Sequence, residues 1–418
     1  MTRQPERQRF IPFRKREIVN MLLENGKFKS EQDKKDFERL CGMVESLFHF
    51  EFHEILERLK DNYYPMNPDL QKRRSFTREE INICSQKVFD DLRKILNYAN
   101  FEEITPEEID EAFGTSAVLS INVRIDRDDF EEVHFYHRGV RTEAVPIKKW
   151  FGLRTVTQNH EILERVCLFV RFKPKEYFGE KKLRDLPYDP GTTLIKLFKD
   201  VPKEDLEILF PNCRASMTKK DALILGVPAL VGGVALMATK VLPALIVIAL
   251  IAATYFGYRG AVEEDTMKKG IAALSALIAI GGFVLKQWIK YKNMKYQFQK
   301  ELSDNLYFRN LVNNAGVFHA LIDAAEEEEC KEAFLAYYFL YTSDKDLTEI
   351  ELDKMIEGWF EKKFDCKFDF ECPDALNKLE RLRLLEKKEG GILQVPNLSE
   401  SLRRLDEEWD NIFQYNNA

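Results

Sequence analysis

The chain of 418 residues has room for two or three domains, and 32% of its residues are charged, which excludes a transporter built mainly of apolar helices. Its net charge of −7 is uneven, because the segment 326–418 contains 24 acidic and 13 basic side chains, and this argues against nucleic acid as that segment's partner. The seven cysteines include no Cys-x-x-Cys pair, and their odd number favours reduced thiols in a cytosol-like compartment.

Residues 1–114 are predicted to form a helical N-terminal region. Between Phe37 and Leu59, apolar residues recur every three or four positions, as on one face of a long helix that Ser30 can cap. Thr77 can cap a second helix with a similar apolar stripe. We expect the stripes of these helices to pack against each other.

Two histidines of the long helix, His49 and His53, lie four residues apart, a spacing at which both can bind one metal ion. The His-Glu-x-x-His motif of zinc proteases is absent, because the string reads HFEFH. An aromatic-rich helix face explains the pair better. We therefore predict no metal and no other cofactor, with His49 and His53 as the metal candidates against this prediction.

Residues 115–215 are predicted to form a small α+β domain. Four strings of this region alternate in polarity or are rich in β-branched and aromatic residues, as strands are. They read AVLSINVRID, EEVHFYHRGVR, RVCLFVRFKP and TTLIKLFKDV. The pattern predicts a sheet of about four strands and leaves the order of the strands open.

Residues 216–292 are predicted to form a transmembrane region. The runs Ala222–Thr239, Val241–Tyr258 and Gly270–Leu285 contain no charged residue, and a bilayer core takes about 20 apolar residues per helix. Three spans would place six flanking Lys and Arg residues on each side of the membrane, whereas two spans place nine on one side and three on the other. The charge asymmetry therefore favours a hairpin of two spans.

The two predicted spans are about 241–258 and 270–288, and both termini are expected on the cytoplasmic side of a bacterial inner membrane. The stretch 222–239 contains glycines and a proline, and we interpret it as an irregular apolar lead-in that lies at the interface, re-enters the membrane or forms half of a hairpin. The predicted membrane-interface residues are Lys219, Lys220, Lys240, Lys286, Trp288 and Lys290. A lysine inside a membrane indicates function, but a turn at the interface also explains Lys240.

Residues 293–325 are predicted to form a linking helix with a kink or break near Asn313 and Asn314, because asparagine and the nearby glycine disfavour helix interiors. Together with His319 and Asp323, these asparagines make a candidate functional polar cluster. A plain polar helix face is the alternative, and it explains the same residues without function.

Residues 326–418 are predicted to form an acidic winged-helix-like domain, with three helices followed by a Gly-Gly two-stranded wing. The run Glu326–Glu329 is interpreted as a solvated face. Lys378, Arg381 and Arg383 on the third helix raise DNA binding as an alternative, but the balance of −11 in this segment favours a protein-interaction module.

Three blocks of the chain, RFIPFRKREIVNMLL, TTLIKLFKDVPKEDLEILFPNC and NLYFRNLVNNAGVFHALIDAAEEEECKEAFLAYYFL, resemble the family of transmembrane protein 143. This family occurs in bacteria, plants and animal mitochondria and carries a domain of unknown function. The resemblance implies a two-pass membrane protein. It brings no established catalytic residues.

The sequence thus predicts an α+β membrane protein with a helical N-terminal region, a small β-rich domain, a transmembrane helical hairpin and a C-terminal winged-helix-like domain. The expected function is that of a membrane-anchored interaction or regulatory protein, not an enzyme. Its expected partners are the lipid bilayer, proteins bound through the C-terminal domain and, in a homo-oligomer, further copies of the chain. Oligomeric transport or lipid handling is the alternative, and an unrecognised membrane enzyme ranks below it because no nucleotide or serine-hydrolase motif occurs.

Overall fold

The computed structural model describes residues 8–72, 74–114, 122–149, 154–186, 188–216, 242–257 and 264–413. These residues divide into two compact units. Unit 1 consists of the described residues in Met1–Ala112, Arg127–Lys203 and Arg309–Ala418, and unit 2 of those in Phe113–Asp126 and Glu204–Phe308.

The N-terminal region is helical, as its apolar stripes predict. Helices α1, α2, α3 and α4 span Lys15–Glu24, Glu31–Tyr63, Arg78–Tyr98 and Pro106–Gly114. The predicted caps are confirmed, because the Ser30 side chain accepts a hydrogen bond from the backbone N–H of Asp33, and Thr77 and Glu80 form a reciprocal capping box. Both caps satisfy backbone donors that the first turn of a helix leaves without a partner.

The sheet of unit 1 has five antiparallel strands in the order β1-β3-β4-β5-β7. These strands span Glu102–Ile104, Phe130–Lys149, Arg154–Phe172, Thr193–Pro202 and Asn310–Asn313. The three central strands lie where the alternating strings predict them. The short edge strands β1 and β7 come from outside the predicted sheet region, and β7 pairs with residues more than a hundred positions earlier in the chain.

The centre of unit 1 is helix α8 (Ala315–Thr342), which is buried on all sides from Ala325 to Leu340. It packs against α1, α2 and α3 and against the C-terminal helices α9 (Glu349–Phe364) and α10 (Cys372–Arg381). After α10 come strands β8 (Glu386–Lys387) and β9 (Leu393–Gln394) and helix α11 (Leu398–Asp410). Gly390 and Gly391 turn the chain between the two strands with φ of 82° and 77°, a conformation that glycine adopts without strain.

Unit 2 contains the pair of strands β2 (Asn122–Arg124) and β6 (Arg214–Ser216) and the helices α6 (Leu242–Tyr255) and α7 (Glu264–Arg309), the last residue of which belongs to unit 1. A short helix α5 (Glu180–Asp185) precedes them in the chain and belongs to unit 1. At 46 residues, α7 is the longest helix that the structure describes. It extends for about 69 Å at 1.5 Å per residue.

The length and composition of these two helices correct the prediction of a membrane hairpin. Within the described ranges, no helix combines the length and the apolar character needed to cross a membrane. Helix α6 has 14 residues, or about 21 Å, and the uncharged part of α7, Gly270–Leu285, spans about 24 Å, whereas a hydrocarbon core is about 30 Å thick.

On this finding the predicted fold class, a membrane protein with spans at about 241–258 and 270–288, is wrong, and so is the predicted multi-pass location in a bacterial inner membrane. The structure supports an α+β fold with a five-stranded antiparallel sheet. The predicted lead-in 222–239 lies outside the described residues, together with Lys219, Lys220 and Lys240.

Candidate functional site

Helix α8 carries a cluster of charged side chains inside the core of unit 1. Its members are no more than 9% exposed. They are Glu326, Glu327, Glu328, Glu329, Lys331 and Glu332. The prediction that Glu326–Glu329 form a solvated face is therefore wrong. With 3.6 residues per turn, four consecutive side chains point to all sides of a helix, and neighbouring segments cover α8 on every side.

On the C-terminal side of this cluster, Lys378 of α10 reaches three carboxylates. Its Nζ lies 2.9 Å from Glu329 Oε1 and 2.8 Å from Asp374 Oδ2, and it also donates to Glu332 Oε2. The carboxylate oxygens of these three residues lie within 4.8 Å of one another, a spacing that could hold a metal ion. The ammonium group of Lys378 supplies one positive charge among these three carboxylates.

On the N-terminal side, Lys331 Nζ donates to Glu328 Oε1 at 2.8 Å and to the carbonyl oxygen of Ile11 at 2.7 Å. The backbone N–H of Ile11 in turn donates to Glu328 Oε2 at 3.2 Å. Lys15 Nζ donates to Glu326 Oε1 at 2.8 Å. The cluster thus joins α8 to the segment that precedes and begins α1.

The pKa values of the cluster follow from burial and from these pairs. Burial raises the pKa of Glu329 to about 7, although Lys378 acts against it, and burial likewise raises the pKa of Glu332. For Lys378, burial acts to lower the pKa, but the carboxylates of Glu332, Glu329 and Asp374 outweigh it and hold the pKa above its ordinary value. Lys378 is therefore charged at neutral pH, whereas Glu329 changes its charge close to neutrality.

Through Glu329, we expect the free energy of unfolding to fall as the pH rises from 4.5 to about 7. In this window the folded chain keeps a proton that an unfolded glutamate has already released, so the stabilisation present at low pH is lost as the pH increases. In Glu329→Gln this loss should be absent. Urea unfolding should show that the difference in unfolding free energy between variant and wild type changes by about 1–3 kcal/mol across the window.

Glu389→Gln, at an exposed position beside the wing glycines, is the matched control and should keep the wild-type pH dependence. Parallel curves for Glu329→Gln and the wild type would contradict the assignment of a raised pKa to Glu329.

The two histidines named as metal candidates differ in their relation to the charge cluster of α8. His49 Nδ1 lies 2.9 Å from Glu326 Oε2, and His53 is exposed. Among the described residues, the carboxylate group with metal-like spacing includes neither histidine. The expectation of no metal, with these two histidines as the candidate ligands, stays a prediction.

The residues of the predicted polar cluster have different surroundings. Asn314 is buried at the junction of β7 and α8, where its Oδ1 accepts hydrogen bonds from the Tyr63 hydroxyl at 3.1 Å and from the backbone N–H of Ile195 at 3.3 Å. Asn313, His319 and Asp323 are exposed. Asn314 is thus a structural joint, and a functional role for the other three stays a prediction.

A second candidate site is the apolar surface of α6 and α7 in unit 2. Large apolar side chains along these helices are between 49% and 87% exposed. Between residues 245 and 296, the side chains in this range are Leu245, Ile246, Tyr255, Phe256, Ile271, Leu274, Ile278, Val284, Leu285, Trp288, Ile289 and Tyr296. We call this set the α6–α7 apolar surface.

The predicted interface residues Lys286, Trp288 and Lys290 lie on α7 and are exposed. The Trp288 ring lies beside the Tyr291 ring in a tilted arrangement, with centroids 6.0 Å apart, and Lys292 Nζ lies 5.4 Å from the centre of the Trp288 ring. These contacts run along one helix, so they leave most of the indole surface free for a partner.

Comparison with known proteins finds one family model, described as "Protein of unknown function (DUF3754)", which matches residues 163–316. The match covers less than half of the chain, from within β4 to the first turn of α8, and includes α6 and α7 with their apolar surface. The description of the family carries no activity. No solved structure matches the chain significantly.

Proposed function

We propose that this chain is an interaction protein that assembles with protein partners through the α6–α7 apolar surface. The observation that carries the proposal is the exposure of large apolar side chains along both helices, for example 69% at Ile278 and 57% at Trp288. Contiguous apolar patches on a folded protein mark surfaces that another molecule covers.

The free energy available from burying these side chains supports the same conclusion. Burying one Leu, Ile or Phe side chain contributes about 1.5–3 kcal/mol, so covering five or six such side chains contributes on the order of 10 kcal/mol. Association itself costs several kcal/mol of translational and rotational freedom. The surplus of a few kcal/mol corresponds to a weak complex with a dissociation constant in about the millimolar range, and covering more of the surface would tighten it.

Three exposed apolar side chains of unit 1 provide a comparison. Leu70, Ile83 and Ile350 of unit 1 are 49%, 51% and 66% exposed and belong to three different segments. Scattered residues of this kind are normal on protein surfaces and need no partner. They provide the matched comparison for a test.

The charge cluster of α8 is the alternative candidate for a functional site. Its carboxylates are at most 9% exposed and are paired with Lys15, Lys331 and Lys378. A substrate would have to separate packed helices to reach them. We therefore assign the cluster to stability, while partner binding through the C-terminal helices remains a separate prediction.

We expect the triple variant Ile246→Gln, Ile278→Gln, Tyr296→Gln to lose its assembly partners. The reason is that each substitution removes exposed apolar area from the surface without disturbing a buried side chain. The full-length chain would be isolated under native conditions, and the mass and composition of its complexes determined by light scattering and native mass spectrometry.

The control is the triple variant Leu70→Gln, Ile83→Gln, Ile350→Gln, which removes three equally exposed apolar side chains from unit 1 and should keep the wild-type assemblies. If both triple variants retain the same complexes as the wild type, the proposed function is wrong.

A further inference from the structure

The geometry of α7 points to a second copy of this chain as the partner: we propose that two α7 helices pair antiparallel through one heptad stripe. This inference rests on the proposed function and names its partner. The stripe consists of Ile271, Leu274, Ile278, Gly281, Leu285 and Trp288.

The spacing of the stripe is that of a coiled coil. Its members follow one another at alternating intervals of three and four residues, the a and d positions of a heptad repeat. All six are exposed in the single chain, with the five side chains between 57% and 69%. Near the end of the stripe, Lys286, Gln287 and Lys290 lie on the other side of the helix and are polar.

In an antiparallel pair, an a residue of one helix meets a d residue of the other. One register satisfies every member of the stripe at once: Ile271 meets Trp288 of the second copy, Leu274 meets Leu285, and Ile278 meets Gly281. The two-fold axis passes between Ala279 and Ile280. The stripe is therefore complementary to itself, as the interface of a symmetric dimer must be.

The central contact joins a large residue and a glycine. A Cβ added at Gly281 would meet no heavy atom within 4 Å, so the space above this glycine is open. The Ile278 side chain of the second copy is a knob of suitable size for it, and the symmetry repeats the contact on the other side of the axis. A parallel pair would instead place Gly281 against Gly281 and leave a hole.

The charges at the ends of the stripe select the same orientation. In the antiparallel register, Lys292 and Lys295 of one copy lie at the opposite end of the stripe from those of the other copy, so these like charges stay apart. In a parallel pair, Lys292 would face Lys292 and Lys295 would face Lys295, and like charges opposite each other are unfavourable. Shape and charge thus both favour the antiparallel dimer.

Cysteine cross-linking of the full-length chain tests the register, after the partly exposed Cys84, Cys213 and Cys366 have been replaced by serine. A mixture of Leu274→Cys chains and Leu285→Cys chains should give a covalent dimer with a short bismaleimide. Each variant alone should not, because identical positions lie about 16 Å apart along an antiparallel pair. Efficient cross-linking of Leu274→Cys alone would show a parallel pair and overturn the proposed register.

A matched pair of charge substitutions tests the stripe itself. Ile278→Glu places two acids in the seam, whereas Ala279→Glu places them at the neighbouring exposed position outside it. Sedimentation equilibrium should show the dimer dissociation constant raised at least about tenfold by Ile278→Glu and changed little by Ala279→Glu. Equal effects of the two substitutions would show that the stripe does not form the dimer interface.

Two further results would show that the partner of the stripe is not a second copy of this chain. One is a purified wild-type chain that stays monomeric while its native complexes contain a different protein on α7, which leaves the proposed function intact. The other is a wild-type chain that floats with phosphatidylcholine and phosphatidylglycerol vesicles, while Ile278→Glu stays in solution as a monomer. That result would assign the stripe to a lipid surface and would contradict the proposed function as well.

Discussion

Lys378→Met should lower the free energy of unfolding by about 3–5 kcal/mol, the range for removal of one partner from a buried ion pair. Lys378 is 4% exposed, and its Nζ is the cation shared by Glu329, Glu332 and Asp374. Methionine keeps the length and the apolar stem of the side chain. The loss therefore measures the charge, because two glutamates then remain buried without the lysine. Urea unfolding followed by tryptophan fluorescence, with Trp359 and Trp409 as reporters in unit 1, provides the measurement.

Lys387→Met is the control for this prediction. Lys387 Nζ lies 2.8 Å from Glu380 Oε2, but both side chains are more than half exposed. An exposed pair contributes about 0–1 kcal/mol, since water solvates both charges when the pair is broken. If Lys378→Met destabilises the chain no more than Lys387→Met does, the cluster does not stabilise the fold through its charges.

A double variant shows whether the loss comes from the uncompensated carboxylates. In Lys378→Met, Glu329→Gln, one of the acids left without the lysine is neutral from the outset. We expect the double variant to be more stable than Lys378→Met alone, because the amide needs no compensating cation in the buried site. Additive losses would mean that Lys378 and Glu329 act independently.

Much of the local structure was predictable because its causes lie close together in the chain. The apolar stripe of α2 and the caps at Ser30 and Thr77 depend on residues no more than a few positions apart. The alternation in β4 and β5 is equally local. The edge strands were missed because they have only three and four residues and their pairing depends on distant strands.

The burial of the charge cluster could not be read from the sequence for the same reason. A run of four glutamates normally indicates a solvated face, and only the cations that cover it change that interpretation. Lys15 lies some three hundred residues before the run, and Lys378 about fifty residues after it. Lys331, two residues after the run, was a local signal.

The apolar runs misled for a different reason. Composition shows that a stretch such as Gly270–Leu285 avoids water, but it does not distinguish lipid from protein as the covering surface. In the structure this stretch is the first part of a 46-residue helix that continues into charged residues. The heptad spacing and the open space at Gly281 become informative only once the helix and its exposure are known.

Asn314→Ala should lower the free energy of unfolding by about 2–4 kcal/mol, for two separable reasons. The residue has φ of 52° and ψ of −128°, which glycine and asparagine tolerate better than alanine does, and a side chain there costs about 1 kcal/mol. The Asn314 amide also accepts from Tyr63 and Ile195 and donates to Asp69 Oδ2 at 2.8 Å. Losing buried hydrogen bonds of this kind costs about 1–3 kcal/mol.

Asn314→Gly separates the two contributions, because glycine adopts this backbone conformation without strain but makes none of the side-chain hydrogen bonds. We expect urea unfolding to place Asn314→Gly between the wild type and Asn314→Ala, about 1 kcal/mol above the alanine variant. Equal stability of the two variants would show that the backbone contributes nothing at this joint. A glycine variant as stable as the wild type would instead show that the hydrogen bonds are dispensable, and that β7 and α8 are held together by the core alone.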